Sequence, residues 1–137
     1  MKRYIKITVL VMACLLTLGT LTSCGKSIDG LEKKALDAGF ECERFDSSAL
    51  LSRNAALDVM KIEGDIVSGM TVKSGNYDAE IYEFNSTQSA KDYFEYIKTS
   101  SGRSFLDPYK GEGIVEAKKR SGKIVITGDK AIIDEIW

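Results

Sequence analysis

The 137-residue sequence predicts an α+β domain, an antiparallel sheet of about four to five strands with helices packed on one face. Three observations carry that reading. Two Ser-Gly turns, Lys73-Ser74-Gly75 and Arg120-Ser121-Gly122, each join a pair of strand-like segments, the pattern of antiparallel hairpins. Each hairpin leads into a segment whose apolar residues recur at helical spacing behind a capping residue. A further capped helix precedes them. Hairpins that run into helices favour an antiparallel sheet with helices laid against it.

The elements follow in order. Ser27 or Asp29 caps a helix whose apolar positions are Ile28, Leu31, Ala35, Leu36 and Ala38, and Gly39 stands where a left-handed C′ residue belongs. Phe40 to Phe45 reads as a short strand. Asp46-Ser47-Ser48 is a second capping signal, opening a weaker helical stretch near residues 49–54. Two strand segments, Leu57–Glu63 and Ile66–Lys73, come next. In the second, Ile66, Met70 and Val72 are expected on one face. After the turn at Ser74-Gly75-Asn76, Tyr77–Phe84 is rich in aromatic and β-branched residues, as strands are. Asn85 or Ser86 caps the clearest helix, with Ala90, Tyr93, Phe94 and Ile97 along one face and a Lys91–Glu95 pair on the other. A loop from Thr99 to Glu112 holds the only proline. Strands Ile114–Lys118 and Lys123–Thr127 and a helix capped by Asp129 complete the chain. The two strand–turn–strand–helix units form a weak internal repeat.

The N-terminus has a composition of its own. Lys2, Arg3 and Lys6 precede an apolar run from Ile7 to about Leu18, with no acidic residue before Cys24. A cationic n-region, an apolar core of roughly 7–15 residues and a small-residue exit make a secretory signal peptide. That core is shorter than the ~20 residues that a membrane-spanning helix needs. The exit Leu21-Thr22-Ser23-Cys24 resembles the bacterial lipobox. The resemblance implies cleavage before Cys24 and a diacylglyceryl (palmitate-type) thioether on that cysteine. Several acyl chains anchor stably, since each buried CH₂ contributes roughly 0.8 kcal/mol. The expected organisation is a lipoprotein signal peptide at 1–23, a short lipid-anchored tether at 24–29 and a single α+β domain at 30–137, held on the extracytoplasmic side of the cell membrane.

This organisation changes what the composition means. Cys14 leaves with the leader and Cys24 is alkylated, so Cys42 alone keeps a thiol and neither a disulfide nor a cysteine metal cluster is expected. The sequence has no histidine, which excludes a Ser-His-Asp or Cys-His relay and every imidazole metal site. The net charge is −1, and losing Lys2, Arg3 and Lys6 makes the domain more acidic still, against nucleic-acid binding. No metal or other cofactor is implied.

Few side chains suggest chemistry. Gly25-Lys26-Ser27 mimics the end of a phosphate loop, but the glycine that motif requires is missing and cleavage at Cys24 would interrupt it. Asp78 and Glu80 lie two apart on a strand and share a face. They are the pair that would serve a carboxylate-based hydrolase, and strand alternation assigns them to the solvated side. Lys118, Lys119, Arg120 and Lys123 gather at a hairpin tip, where a solvated turn protected from edge pairing is expected in preference to a lipid contact. Among the tyrosines, Tyr93 belongs to the core and Tyr82, Tyr96 and Tyr109 are expected to be exposed. The loop 100–112, with Arg103, Phe105, Asp107, Tyr109 and Lys110, is the place to seek a contact surface: long loops in compact domains are often functional, and aromatic and Arg residues typify interface hot spots.

The order of strand, capped helix with Ala90, Lys91 and Tyr93, then Arg120-Ser121-Gly122-Lys123, strand and final helix resembles small uncharacterised lipoproteins of Gram-positive anaerobes. That resemblance implies no activity. The sequence thus points to a non-enzymatic extracytoplasmic lipoprotein that binds a protein or cell-envelope component, with a small-ligand sensor or solute-binding accessory as the alternative.

Overall fold

A computed structural model describes residues 25–99 and 116–137, and these share one five-stranded, wholly antiparallel sheet. In chain order the elements are α1 (Ile28–Asp37), β1 (Glu41–Arg44), α2 (Ser47–Met60), β2 (Ile66–Ser74), β3 (Tyr77–Phe84), α3 (Thr87–Thr99), β4 (Glu116–Ser121), β5 (Ile124–Asp129) and α4 (Lys130–Ile136). The strands lie in the order β1-β2-β3-β5-β4. The α+β class and the five strands agree with the sequence.

The helices do not gather on one face. Ile28, Leu31 and Ala35 of α1 and Ile132, Ile133 and Ile136 of α4 pack on Met70, Val72, Ala79, Ile81, Ile124 and Ile126. On the reverse side, Leu57 of α2 and Ala90, Tyr93 and Ile97 of α3 pack on Ile66, Tyr82, Phe84 and Val125. The sheet is buried on both sides because β3 and β5 are apolar at both parities. This arrangement also decides the internal repeat. A two-fold axis normal to the sheet is what relates β2-β3 to β4-β5, and it would leave both following helices on the same face. They lie on opposite faces, so the two units are not symmetry mates.

Local signals explain most boundaries. Ser27 Oγ accepts from the Gly30 amide at 3.1 Å and starts α1. At its end Gly39 is left-handed (φ 81°), with Phe40 N–H donating to Ala35 O and Gly39 N–H to Leu36 O, a complete Schellman closure. Ser86 Oγ accepts from the Ser89 amide at 3.0 Å and starts α3, where the Glu95 carboxylate is met by Lys98 at 3.2 Å, not by the Lys91 proposed from spacing. Asp129 stands at the start of α4 without capping it, because its Oδ2 accepts from the Asp78 amide at 2.5 Å.

Two segments depart from the sequence reading. Leu57–Glu63 is not a strand: α2 runs on to Met60 and is closed by Lys61 in a left-handed conformation (φ 58°). Asn54, the last residue of the helical stretch read from the sequence, faces inward, its side-chain amide donating to Ile66 O and its carbonyl accepting from Ile66 N–H. In β2, a bulge between Ile66 and Ser68 inserts Val67 and turns Ile66 away from the face of Met70 and Val72. The last hairpin is displaced by about two residues, so that Gly122 (φ 57°) and Lys123 form its turn.

Candidate functional site

The second face of the sheet holds a polar constellation within an aromatic cluster. Glu80 of β3 is 3% exposed, in contrast to the solvated position that alternation assigned it. Its Oε1 accepts from Arg53 Nη2 at 2.6 Å, and its Oε2 accepts from the Tyr82 hydroxyl. Arg53 reaches it from α2, and its guanidinium lies 3.9 Å from the centre of the Phe45 ring. Phe45 can lie flat on the sheet because residue 69 is glycine: a Cβ there would come within 2.3 Å of the ring. Tyr93 of α3 meets Tyr82 edge-on at 5.6 Å and Phe84 at 5.4 Å.

Burial decides the electrostatics of this cluster. It pushes the Tyr82 hydroxyl well above its usual range, reinforced by the charge of Tyr93 and of Glu80, and it raises Tyr93 as well. Burial works against the Arg53 charge, and the hydrogen bond and field of Glu80 outweigh it. Both carboxylate oxygens of Glu80 are therefore engaged by neighbours that keep their protons. Such a group locks a helix to a sheet; it offers no acid or base to solvent. Asp78 shares the face, as expected, but it is half-buried and tied through its amide to Asp129. The two do not line a common cleft as a hydrolase would require.

Beside the lock lies an open cleft of about 330 Å³ lined by Glu43, Arg44, Phe45, Asp46, Ala49 and Arg53. Its two guanidiniums are both paired, Arg44 with Asp29 at 2.6 Å and with Glu32 at 2.5 Å, Arg53 with Glu80. Arg44 holds the Glu32 carboxyl below its ordinary value of 4.5 through their hydrogen bond. Glu43 and Asp46 add negative charge at the rim. The cleft is polar without being cationic.

The outer side of α2 is the other feature of note. Leu51 and Val59 are 74% and 84% exposed, and Ala55 lies exposed between them at i, i+4, i+8 spacing. Ser48 and Ser52 flank this strip, with Asp58 at its edge. The core does not use it.

The residues singled out from sequence are placed as follows. Cys24, Arg103, Phe105, Asp107, Tyr109 and Lys110 lie outside the described residues. Tyr82 is fully buried, whereas Tyr96 is 38% exposed. The hairpin cations are dispersed: Lys118 donates to Ile97 O at 2.6 Å on one side of the sheet, and Lys119 pairs with Asp134 at 3.2 Å on the other. Arg120 donates to Gly122 O, and Lys123 is exposed at the tip. Among the described residues no group of three His, Cys, Asp or Glu side chains converges to hold a metal ion. Among them also, no helix is long and apolar enough to cross a membrane. Arg53, Phe45 and the α2 strip were not legible beforehand; the unbroken apolar triple Ile124-Val125-Ile126 was the one signal of two-sided burial.

Comparison with known proteins adds one similarity. Two curated relatives, both named phosphate-binding protein PstS 2, from Streptococcus agalactiae serotype V and serotype III, are 28% identical over 96 residues. The match covers 62% of this chain, and the chain spans about a third (33%) of the length of those relatives. No family pattern matches the chain, and no solved structure matches it. The similarity is to a binding protein and not to an enzyme.

Proposed function

We propose that the protein is a non-enzymatic extracytoplasmic lipoprotein, anchored through a lipidated Cys24, whose domain binds a protein of the cell envelope. The observation that carries the reading is the strip Leu51–Ala55–Val59, an apolar surface on a domain whose two cores are complete without it. The strip lacks cations, which disfavours anionic polymers, and its small flanking serines suit the close approach of an apolar protein surface. The loop bearing Arg103, Phe105, Tyr109 and Lys110 is a second proposed contact. The test is affinity capture from native membranes after crosslinking, run in parallel with Leu51→Asp/Val59→Asp. These exposed changes should leave stability within about 0.5 kcal/mol and abolish the capture of a partner that the unaltered protein retains. Identical capture by both proteins refutes the strip, and an unmodified Cys24 by mass spectrometry refutes the anchor.

A solute-binding accessory is the second reading, favoured by the similarity to phosphate-binding protein PstS 2. The Arg44–Arg53 cleft is then the place for the solute, and an anion there has to compete with Asp29, Glu32 and Glu80. Isothermal titration with inorganic phosphate tests it: heat that disappears in Arg53→Met supports it, and an athermal titration with no stabilisation against urea rejects it.

A further inference from the structure

Residues 25–27 lie against the tip of the last hairpin. Gly25, Lys26 and Ser27 line an open cleft of about 320 Å³ together with Ser121, Gly122, Lys123 and, on its other wall, Glu83 and Thr87. Lys26 also lies 4.9 Å over the ring of Trp137 and donates to its carbonyl oxygen. One end of the domain therefore brings together the chain's single tryptophan, Lys26 and Lys123, and Arg120 stands at the same hairpin tip, donating to Gly122 O. Only residues 25–27 separate Cys24 from the first turn of α1, a reach of at most about 11 Å. That is close to one Debye length, about 10 Å at 0.1 M salt, so charges at this end feel a charged bilayer surface.

We infer that this end of the domain rests on the anionic phospholipid headgroups of the membrane that holds the protein, with Lys26, Arg120 and Lys123 facing the lipid phosphates and Trp137 at the interface. The inference deepens the anchoring reading above and rests on it. Anionic leaflets attract basic residues near their surface, and tryptophan concentrates at the boundary between headgroups and hydrocarbon. Glu83 opposes the attraction from within the cleft, and three cations stand against it. A short tether then fixes orientation as well as location. The domain stands end-on, with its sheet edges and α2 free along its sides.

The single tryptophan supplies the readout. The full-length protein, purified from membranes in its lipidated form, is reconstituted into vesicles of phosphatidylcholine alone or enriched in phosphatidylglycerol. In the anionic vesicles Trp137 emission should shift to the blue and its quenching by acrylamide should fall, and 1 M salt should reverse both. Arg120→Glu/Lys123→Glu should lose the shift while the protein still floats with the vesicles. The salt titration of the unaltered protein keeps the test valid if that variant misfolds. Emission that is the same in both lipids, or unmoved by salt and charge reversal, overturns the docking while vesicle flotation upholds the anchor. Protein that leaves the vesicles with an unmodified Cys24 overturns both.

Discussion

Replacing Glu80 by alanine tests whether the buried constellation holds α2 to the sheet. Breaking a buried ion pair from one side costs about 3–5 kcal/mol when the abandoned charge stays dry. Arg53 keeps 20% of its side chain exposed beside the cleft, so water recovers part of that loss and its share falls to about 2 kcal/mol. Tyr82 is fully buried, and its hydroxyl loses the bond to Glu80 but keeps its other neighbours, which adds about 1 kcal/mol. The sum is about 3 kcal/mol. With a urea slope of about 2 kcal/mol per molar, the unfolding midpoint should fall by roughly 1.5 M. Two further variants separate the contributions. Glu80→Leu with Arg53→Met should recover the ion-pair share, because an apolar pair of similar volume replaces it at little cost. Adding Tyr82→Phe should recover the remainder. Urea unfolding followed by circular dichroism measures all of these. A Glu80→Ala midpoint within about 0.5 M of the parent would mean that the lock contributes little. A double variant as unstable as the single one would refute the assignment of the cost to an orphaned guanidinium.

The same measurement against pH examines the Arg44 cluster. Arg44 lowers the Glu32 carboxyl below 4.5, so the folded state binds fewer protons than the unfolded state in that region. The stabilisation is present above the unfolded value and lost as pH falls through the folded one. Stability should therefore decline below about pH 4.5, and Arg44→Met should flatten that part of the profile. Asp134 is lowered in the same sense by Lys130 and then Lys119. A profile unchanged by Arg44→Met would contradict this cause. Cys42 reports a shift of opposite sense: burial first, and then the charge of Glu32, push its thiol above 9.0. Alkylation of Cys42 should run slower than that of a free thiol at pH 8 and accelerate as pH rises past 9, with Glu32→Gln faster at every pH. Rates equal to those of the free thiol would show that Cys42 is not shielded.

Elements whose signals are local were legible in the sequence, and those set by tertiary contact were not. Ser27, Gly39 and Ser86 act through backbone groups a few residues away, so the ends of α1 and the start of α3 follow from residue type and spacing. Both Ser-Gly turns join antiparallel strands for the same reason. The helix was read only to Asn54, a residue whose weak helix tendency comes from competition with its own backbone; here its amide is occupied by Ile66 on another element, and the helix runs on to Met60. Glu80 misled because alternation presumes one solvated face. β3 has none: Ala79 and Ile81 serve one core, Tyr82 and Phe84 the other, and Glu80 enters the second only because Arg53 and Tyr82 arrive to meet it. The bulge at Val67, which sets the face of Ile66, has no glycine or proline to announce it. The site was least legible of all: with the helix read only to about residue 54 and Leu57–Glu63 read as a strand, Leu51, Ala55 and Val59 do not fall on one face until the helix is seen to reach Met60.

That ambiguity of α2 explains why its polar contacts lie where they do. The helix is apolar on two opposite sides, with Leu50, Leu57 and Met60 toward the sheet and Leu51, Ala55 and Val59 toward solvent. Hydrophobic burial alone discriminates poorly between those faces, for each offers a similar set of side chains to the same sheet. Arg53 and Asn54 break the tie. They are adjacent on the inward side, and each bonds a fixed partner on the sheet, Glu80 at 2.6 Å and the Ile66 backbone at 2.8 and 3.1 Å. A roll of half a turn would bury Leu51 and Val59, but it would strand the Glu80 carboxylate and both backbone groups of Ile66 beneath an apolar helix face. Each stranded group costs about 1–3 kcal/mol, and more where it is charged. That exceeds any gain from exchanging one apolar set for another. The buried polar residues thus do more than stabilise the fold: they specify which side of α2 the core takes, and so keep the strip Leu51–Ala55–Val59 on the surface, available to a partner.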